Sequence, residues 1–147
     1  MKRWVLLVDA DPRVRAMARM ALQSAAWATE EFAAACDARI LLDDGAFEVA
    51  VVDAFRGDGA TLDDVAFLRE TYPRLPVVVT GALLDVPTLL RALRMGCADA
   101  LLKPYAPDEL REAVVRAVAR AAPRHLEALD FAAAVAAARA SIAEGAL

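Results

Sequence analysis

Trp4-Val5-Leu6-Leu7-Val8-Asp9-Ala10-Asp11-Pro12 is the stretch that decides the fold. A short, β-rich apolar run stops abruptly at acidic residues. Pro12 suits the first turn of a helix, and Asp11 before it suits an N-cap. The same punctuation recurs along the chain. Glu48-Val49-Ala50-Val51-Val52 ends at Asp53, Pro76 to Thr80 is a fully apolar run, and Ala100-Leu101-Leu102 ends at Lys103-Pro104. Thr29 to Ala34 is a weaker strand, because alanine and two glutamates dilute it.

Between these runs lie helix-length segments. Pro12 to Ala26 carries Val14, Met17, Ala18, Ala21 and Leu22 at helical spacing. Cys36 to Asp44 is closed by Gly45. Leu62 to Tyr72 turns Val65 and Leu68 inward. Thr88 to Met95 follows a loop from Gly81 to Pro87 and is stopped by Gly96. Pro107 to Ala122 places Leu110, Val114, Val115 and Val118 on one side. Apolar strands alternating with amphipathic helices specify a parallel sheet covered on both faces. The expected fold is α/β: a (βα)₅ doubly wound, five-stranded parallel sheet in a three-layer sandwich. Pro123 is expected to break the last helix. Residues 1–122 then form one domain, and 123–147 an Ala-rich helical extension with Phe131, Val135, Ala138 and Ile142 on one stripe.

Composition narrows the function. The chain has 147 residues, 17 Lys+Arg and 21 Asp+Glu, for a net charge of −4. No polybasic patch serves nucleic acid or anionic lipid. No apolar run approaches the ~18 residues that span a bilayer. Two isolated cysteines, Cys36 and Cys97, and no leader at Met1 imply reduced thiols in a cytoplasmic protein. Both thiols are expected to pack as small hydrophobes. One histidine, His125, leaves no ordinary zinc site.

In an open parallel sheet the chemistry gathers at the carboxyl ends of the strands. Here those ends carry Asp9 and Asp11, Asp53, Thr80 and Lys103. Two carboxylates suit a hard divalent cation such as Mg²⁺. A lysine and a threonine hydroxyl suit the oxygens of a phosphoryl group carried on a carboxylate, with Asp53 as nucleophile. Asp11, and to a lesser degree Asp9, equally fits the role of a helix cap, and Lys103 that of a surface lysine.

Together, Val8-Asp9-Ala10-Asp11-Pro12, Val51-Val52-Asp53, Val79-Thr80-Gly81, Gly96-Cys97-Ala98-Asp99-Ala100 and Leu102-Lys103-Pro104-Tyr105 resemble the receiver domain of two-component response regulators, over about Lys2 to Ala122. The resemblance implies a flavodoxin-like fold with Asp53 as phosphoacceptor. It also implies metal contacts from Asp9, Asp53 and the Phe55 backbone carbonyl, with Asp11 or a water as a further candidate. Thr80 matches the switch hydroxyl, Lys103 the lysine on the phosphoryl group, and Lys103-Pro104 the cis peptide. The implied partners are a histidine kinase or phosphotransfer protein and a downstream protein met by the fourth helix, fifth strand and fifth helix. The implied role is a signalling module without output domain or catalytic turnover, beyond self-phosphorylation from a small phosphodonor and slow autodephosphorylation. The extension docks on its own domain, pairs with a second copy or a partner, or begins a connector.

Two residues depart from the family pattern. Ala10 stands where the second of two adjacent acids is usual, which weakens the expected Mg²⁺ site. Ala100 stands where a switching Tyr or Phe is usual. Phe55 and Ala82 are apolar at positions that help admit hydrolytic water, so a slow loss of any phosphoryl group is expected. These departures keep a second reading open, a degenerate receiver that binds partners without phosphorylation. A third class, a small flavodoxin-like enzyme or an Asp-x-Asp phosphatase built on Asp9 and Asp11, requires a Gly-rich loop or a nucleophile after the first strand.

Overall fold

The computed structural model describes Lys2–Phe55 and Thr61–Ala143, without the side chains of 122–134, 137 and 141–143. The elements run β1 (Arg3–Val8), α1 (Pro12–Gln23), β2 (Trp27–Phe32), a 3₁₀ turn (Ala35–Ala38), α2 (Arg39–Asp43), β3 (Val49–Asp53), α3 (Asp63–Thr71), β4 (Val77–Ala82), a 3₁₀ turn (Leu83–Asp85), α4 (Val86–Arg94), β5 (Asp99–Lys103) and α5 (Pro107–Ala143). The five strands form one parallel sheet in the order β2-β1-β3-β4-β5. This is the expected doubly wound architecture. Val49, Val52 and Val77 to Val79 are fully buried because both faces are covered. One core, around Leu6, Val52 and Leu68, lies under α2, α3 and α4. The other, around Leu7, Leu22 and Leu110, lies under α1 and α5.

Several expected boundaries move. β2 begins at Trp27, two residues early, because Ala26 turns the chain at φ 66° and Trp27 pairs with Arg3. The segment from Cys36 to Asp44 is a 3₁₀ turn followed by a short helix. The turn begins one residue earlier, at Ala35, and its Ala35 and Ala38 point inward, so Cys36 is exposed rather than packed. Cys97 is buried as expected. α4 starts earlier than Thr88, because Pro87 fits its first turn. Met17 and Val115, read as inward-facing, are 63% and 54% exposed. Small residues line those helix faces instead: Ala18 and Ala21 in α1, Ala113 and Ala117 in α5.

The break expected at Pro123 is absent: α5 is one helix through Ala143. Proline deletes one N–H from the helical ladder, and alanine-rich flanks propagate the helix on both sides. The loop expected at Arg56–Gly59, and the side chains of His125, Phe131 and Ile142, lie outside the described residues.

Gly96 sets the register of β5 behind α4. It has φ +99°, and a Cβ there would meet Arg69 Nη2 at 3.0 Å. Arg69 in turn donates to the carbonyls of Met95, Pro73 and Leu75. Gly96→Ala is expected to cost about 1–3 kcal/mol through backbone strain and displacement of that arginine. A urea melt reads it, and an unchanged midpoint would refute the account.

Candidate functional site

The sheet register assembles the site. Val8 pairs with Val52, so Asp9 and Asp53 leave adjacent strands side by side. Asp53 pairs with Thr80, and Ala82 with Lys103. Four residues far apart in sequence thus meet at one sheet edge, as their strand-end positions imply.

Lys103 Nζ joins the two acids. It donates to Asp9 Oδ2 at 2.7 Å and stands 3.3 Å from Asp53 Oδ2. The peptide bond after it, Lys103-Pro104, is cis. Asp9 is 7% exposed and Thr80 2%. The other Asp9 oxygen accepts from the Asp11 N–H at 2.9 Å. Asp11 is exposed and caps α1, accepting from Arg13 N at 2.8 Å. Its capping role is therefore realised, and only Asp9 of that acidic pair faces Lys103.

Electrostatics follow from partial burial. Burial pushes the Asp53 carboxyl above its ordinary value. Lys103 pulls it back, the Asp9 charge raises it, and the Phe55 backbone N–H lowers it. Burial by itself lowers the Lys103 ammonium, but the hydrogen bond to Asp9 and the charges of Asp53 and Asp9 outweigh it and leave it raised.

Two neighbours were not singled out from the sequence. Arg15 donates from Nη1 to the Asp9 carbonyl at 2.5 Å, which fixes the backbone of the acidic turn. Tyr105 is pushed up to about 12, by burial first and then by the charges of Asp9 and Asp53. Arg15 stands six residues from Asp9 and carries no motif of its own. Tyr105 follows Lys103 by two residues, which is the one sequence signal for it.

The donor set can be compared with what a divalent cation needs. Mg²⁺ is commonly held by one or two carboxylates, completed by waters and substrate oxygens. Asp9 and Asp53 supply two, so the residues fit such an ion. Ala10 supplies none, and among the described residues no group of three or more His, Cys, Asp or Glu surrounds a common point.

Strand-end acids, lysine and threonine on a five-stranded parallel sheet define a receiver-type module. The family described as response regulator receiver domain matches residues 5–115, and the chain belongs to that family, which serves two-component signalling. The chain is 31% identical over 127 residues to the alginate biosynthesis transcriptional regulatory protein AlgB of Pseudomonas putida, covering 86% of this chain and 28% of that protein. It is likewise 31% identical over 123 residues to the response regulator protein PilR of Pseudomonas aeruginosa, covering 84% and 28%. It therefore spans little more than a quarter of the length of these curated relatives. Its fold matches the crystal structure of the receiver domain of NtrX from Brucella abortus, with TM-score 0.72, 24% identity, and coverage of 78% of this chain and 97% of that one. Among the described residues, no helix is long and apolar enough to cross a membrane.

Proposed function

We propose that Asp53 accepts a phosphoryl group from a histidine kinase or phosphotransfer protein, and that the domain then signals by protein contact in the cytoplasm. The observation that carries this reading is the Lys103 ammonium set between Asp9 and Asp53, with Thr80 beside Asp53 in the register. An Asp53 oxygen forms the new O–P bond as the donor's P–N or P–O bond breaks, and that electron pair leaves with the donor. Lys103 and the Thr80 hydroxyl take up charge on the transferring oxygens. Asp9, Asp53 and the Phe55 carbonyl are the groups to hold Mg²⁺, which supplies neutralisation of phosphoryl charge when bound. Asp11 belongs to the helix cap in this reading and supports the metal only indirectly.

The downstream partner is met at α4, β5 and α5. Leu90, Leu93 and Leu102 are partly exposed there, at 47%, 38% and 42%. Ala100 provides no ring to rotate, so coupling passes through the backbone after Thr80. A Cβ on Gly81 would lie 3.1 Å from Leu89 of α4, so α4 rests directly on that strand end. The Ala-rich length of α5 is the surface for a second copy or a connector. The protein is a switch rather than an enzyme, with no turnover beyond its own phosphorylation and dephosphorylation. The competing reading, a degenerate receiver binding partners without phosphorylation, rests on Ala10 and Ala100.

Intact mass after incubation with acetyl phosphate and Mg²⁺ separates the two. One phosphoryl group per chain is expected, absent in Asp53→Asn, and persisting for minutes because Phe55 and Ala82 are apolar. No uptake would favour the degenerate module, and decay within seconds would remove the argument from the two apolar residues.

A further inference from the structure

One cavity of the fold lies far from Asp53. It is a cleft of about 540 Å³ at the amino-terminal edge of the sheet, where β3 and β4 begin. β3 separates it from the phosphoacceptor by about 16 Å of strand. Its walls come from both layers: Leu42 and Phe47 on one side, Leu75 in the floor, Val118 and Ala121 of α5 on the other. The volume falls in the range of small-molecule sites, and the lining is predominantly apolar, as such sites are.

The polar groups around it are unequal. Glu48 is already neutralised by Arg3, with Nη2 at 2.7 Å, and Arg3 also lies over the Trp27 ring. The Tyr72 hydroxyl donates to Asp43, and Arg39 stacks on Phe67 behind it. Arg74, at the rim, makes no hydrogen bond or ion pair to any described residue. The cleft therefore offers an apolar body and one uncommitted guanidinium, a group suited to carboxylate or sulfonate oxygens.

We propose that this cleft is a second ligand site, for a small amphipathic acid: an apolar chain or ring between α5 and the strand starts, and its anionic end on Arg74. The proposal is independent of phosphorylation at Asp53. The site touches α5 at Val118 and Ala121, so an occupant bears directly on that helix.

The test uses the full chain with anilinonaphthalene sulfonate as probe and decanoate as competitor. Saturable fluorescence at one probe per chain is expected, displaced by decanoate. Arg74→Gln should weaken decanoate by roughly tenfold, the loss of one charge-assisted contact. Val118→Trp should fill the cleft and abolish displacement, with Ala121→Phe at the rim as the second filling variant if the first does not fold. Asp53→Asn should bind as wild type does, so failure of the phosphoacceptor reading leaves this result standing. Equal decanoate affinity in Arg74→Gln, or probe binding indifferent to the filled cleft, would overturn the proposal. So would sedimentation showing a dimer that decanoate dissociates, since the occupant would then be a second copy.

Discussion

Lys103→Met is expected to slow phosphoryl uptake from acetyl phosphate by about 10²-fold or more, the usual loss when a preorganised charge is removed from a transferring group. It is also expected to lower stability at neutral pH. Among the described residues the ammonium is the one cation paired with the side-chain carboxylates of Asp9 and Asp53, at 2.7 and 3.3 Å. Methionine fills similar volume and leaves two neighbouring carboxylates unscreened. Removing one member of a well-buried pair costs about 3–5 kcal/mol, and the partial exposure of this one reduces that to about 1–3 kcal/mol. The pH dependence has a definite sign. The Lys103 ammonium is raised when folded, so its stabilisation is present below its ordinary value and is lost as pH rises through the folded one. The Asp53 carboxyl is also raised, so its contribution weakens as pH rises from its ordinary value through the folded one. Without Lys103 that weakening deepens. The gap between wild type and variant should therefore be widest from neutral to mildly alkaline pH and close toward acid. Urea melts across pH read this, and a gap that widens toward acid, or uptake at the wild-type rate, would refute the assignment.

The fold was legible because the sequence pattern and the physics agree. Val77, Val78 and Val79 form a run with no polar face, which is stable only in a sheet covered on both sides, and all three are fully buried. The meeting of Asp9, Asp53, Thr80 and Lys103 at one edge was legible for the same reason. Asp9, Asp53 and Lys103 stand at the ends of apolar strands and Thr80 two residues inside the end of β4, and parallel strands deliver these positions to one edge. What the sequence hid depends on packing across elements. Met17 and Val115 have helical spacing appropriate to a core, yet α1 and α5 approach through alanines, and the larger side chains face solvent. Pro123 is a strong local stop signal, but the alanines on both sides favour helix more than one missing N–H opposes it. The role of Arg15 lies in a contact to a backbone carbonyl, which no residue pattern encodes. The Arg74 cleft joins α2, the Tyr72–Pro76 stretch that follows α3, and α5, which only the fold brings together.

Ala10→Asp is the second large effect, and it acts in the opposite direction to most substitutions at a reactive site. With Ala10 the edge presents two carboxylates, and Lys103 contacts both. A third acid beside them adds an oxygen donor for Mg²⁺ and a like charge next to Asp9. The first change should tighten Mg²⁺ by roughly tenfold or more, read by calorimetric titration. The second should destabilise the metal-free protein, because three crowded carboxylates share one ammonium. The two effects are linked: millimolar Mg²⁺ should raise the melting temperature of the variant more than that of wild type, since an ion that binds only the folded state stabilises it in proportion to its affinity. Phosphoryl uptake at low Mg²⁺ should rise in parallel. If the variant binds the ion no more tightly and melts as wild type does with and without it, residue 10 does not face the site. Asp9 and Asp53 would then hold the ion without help from that position, and the departure at Ala10 would lose its meaning for function.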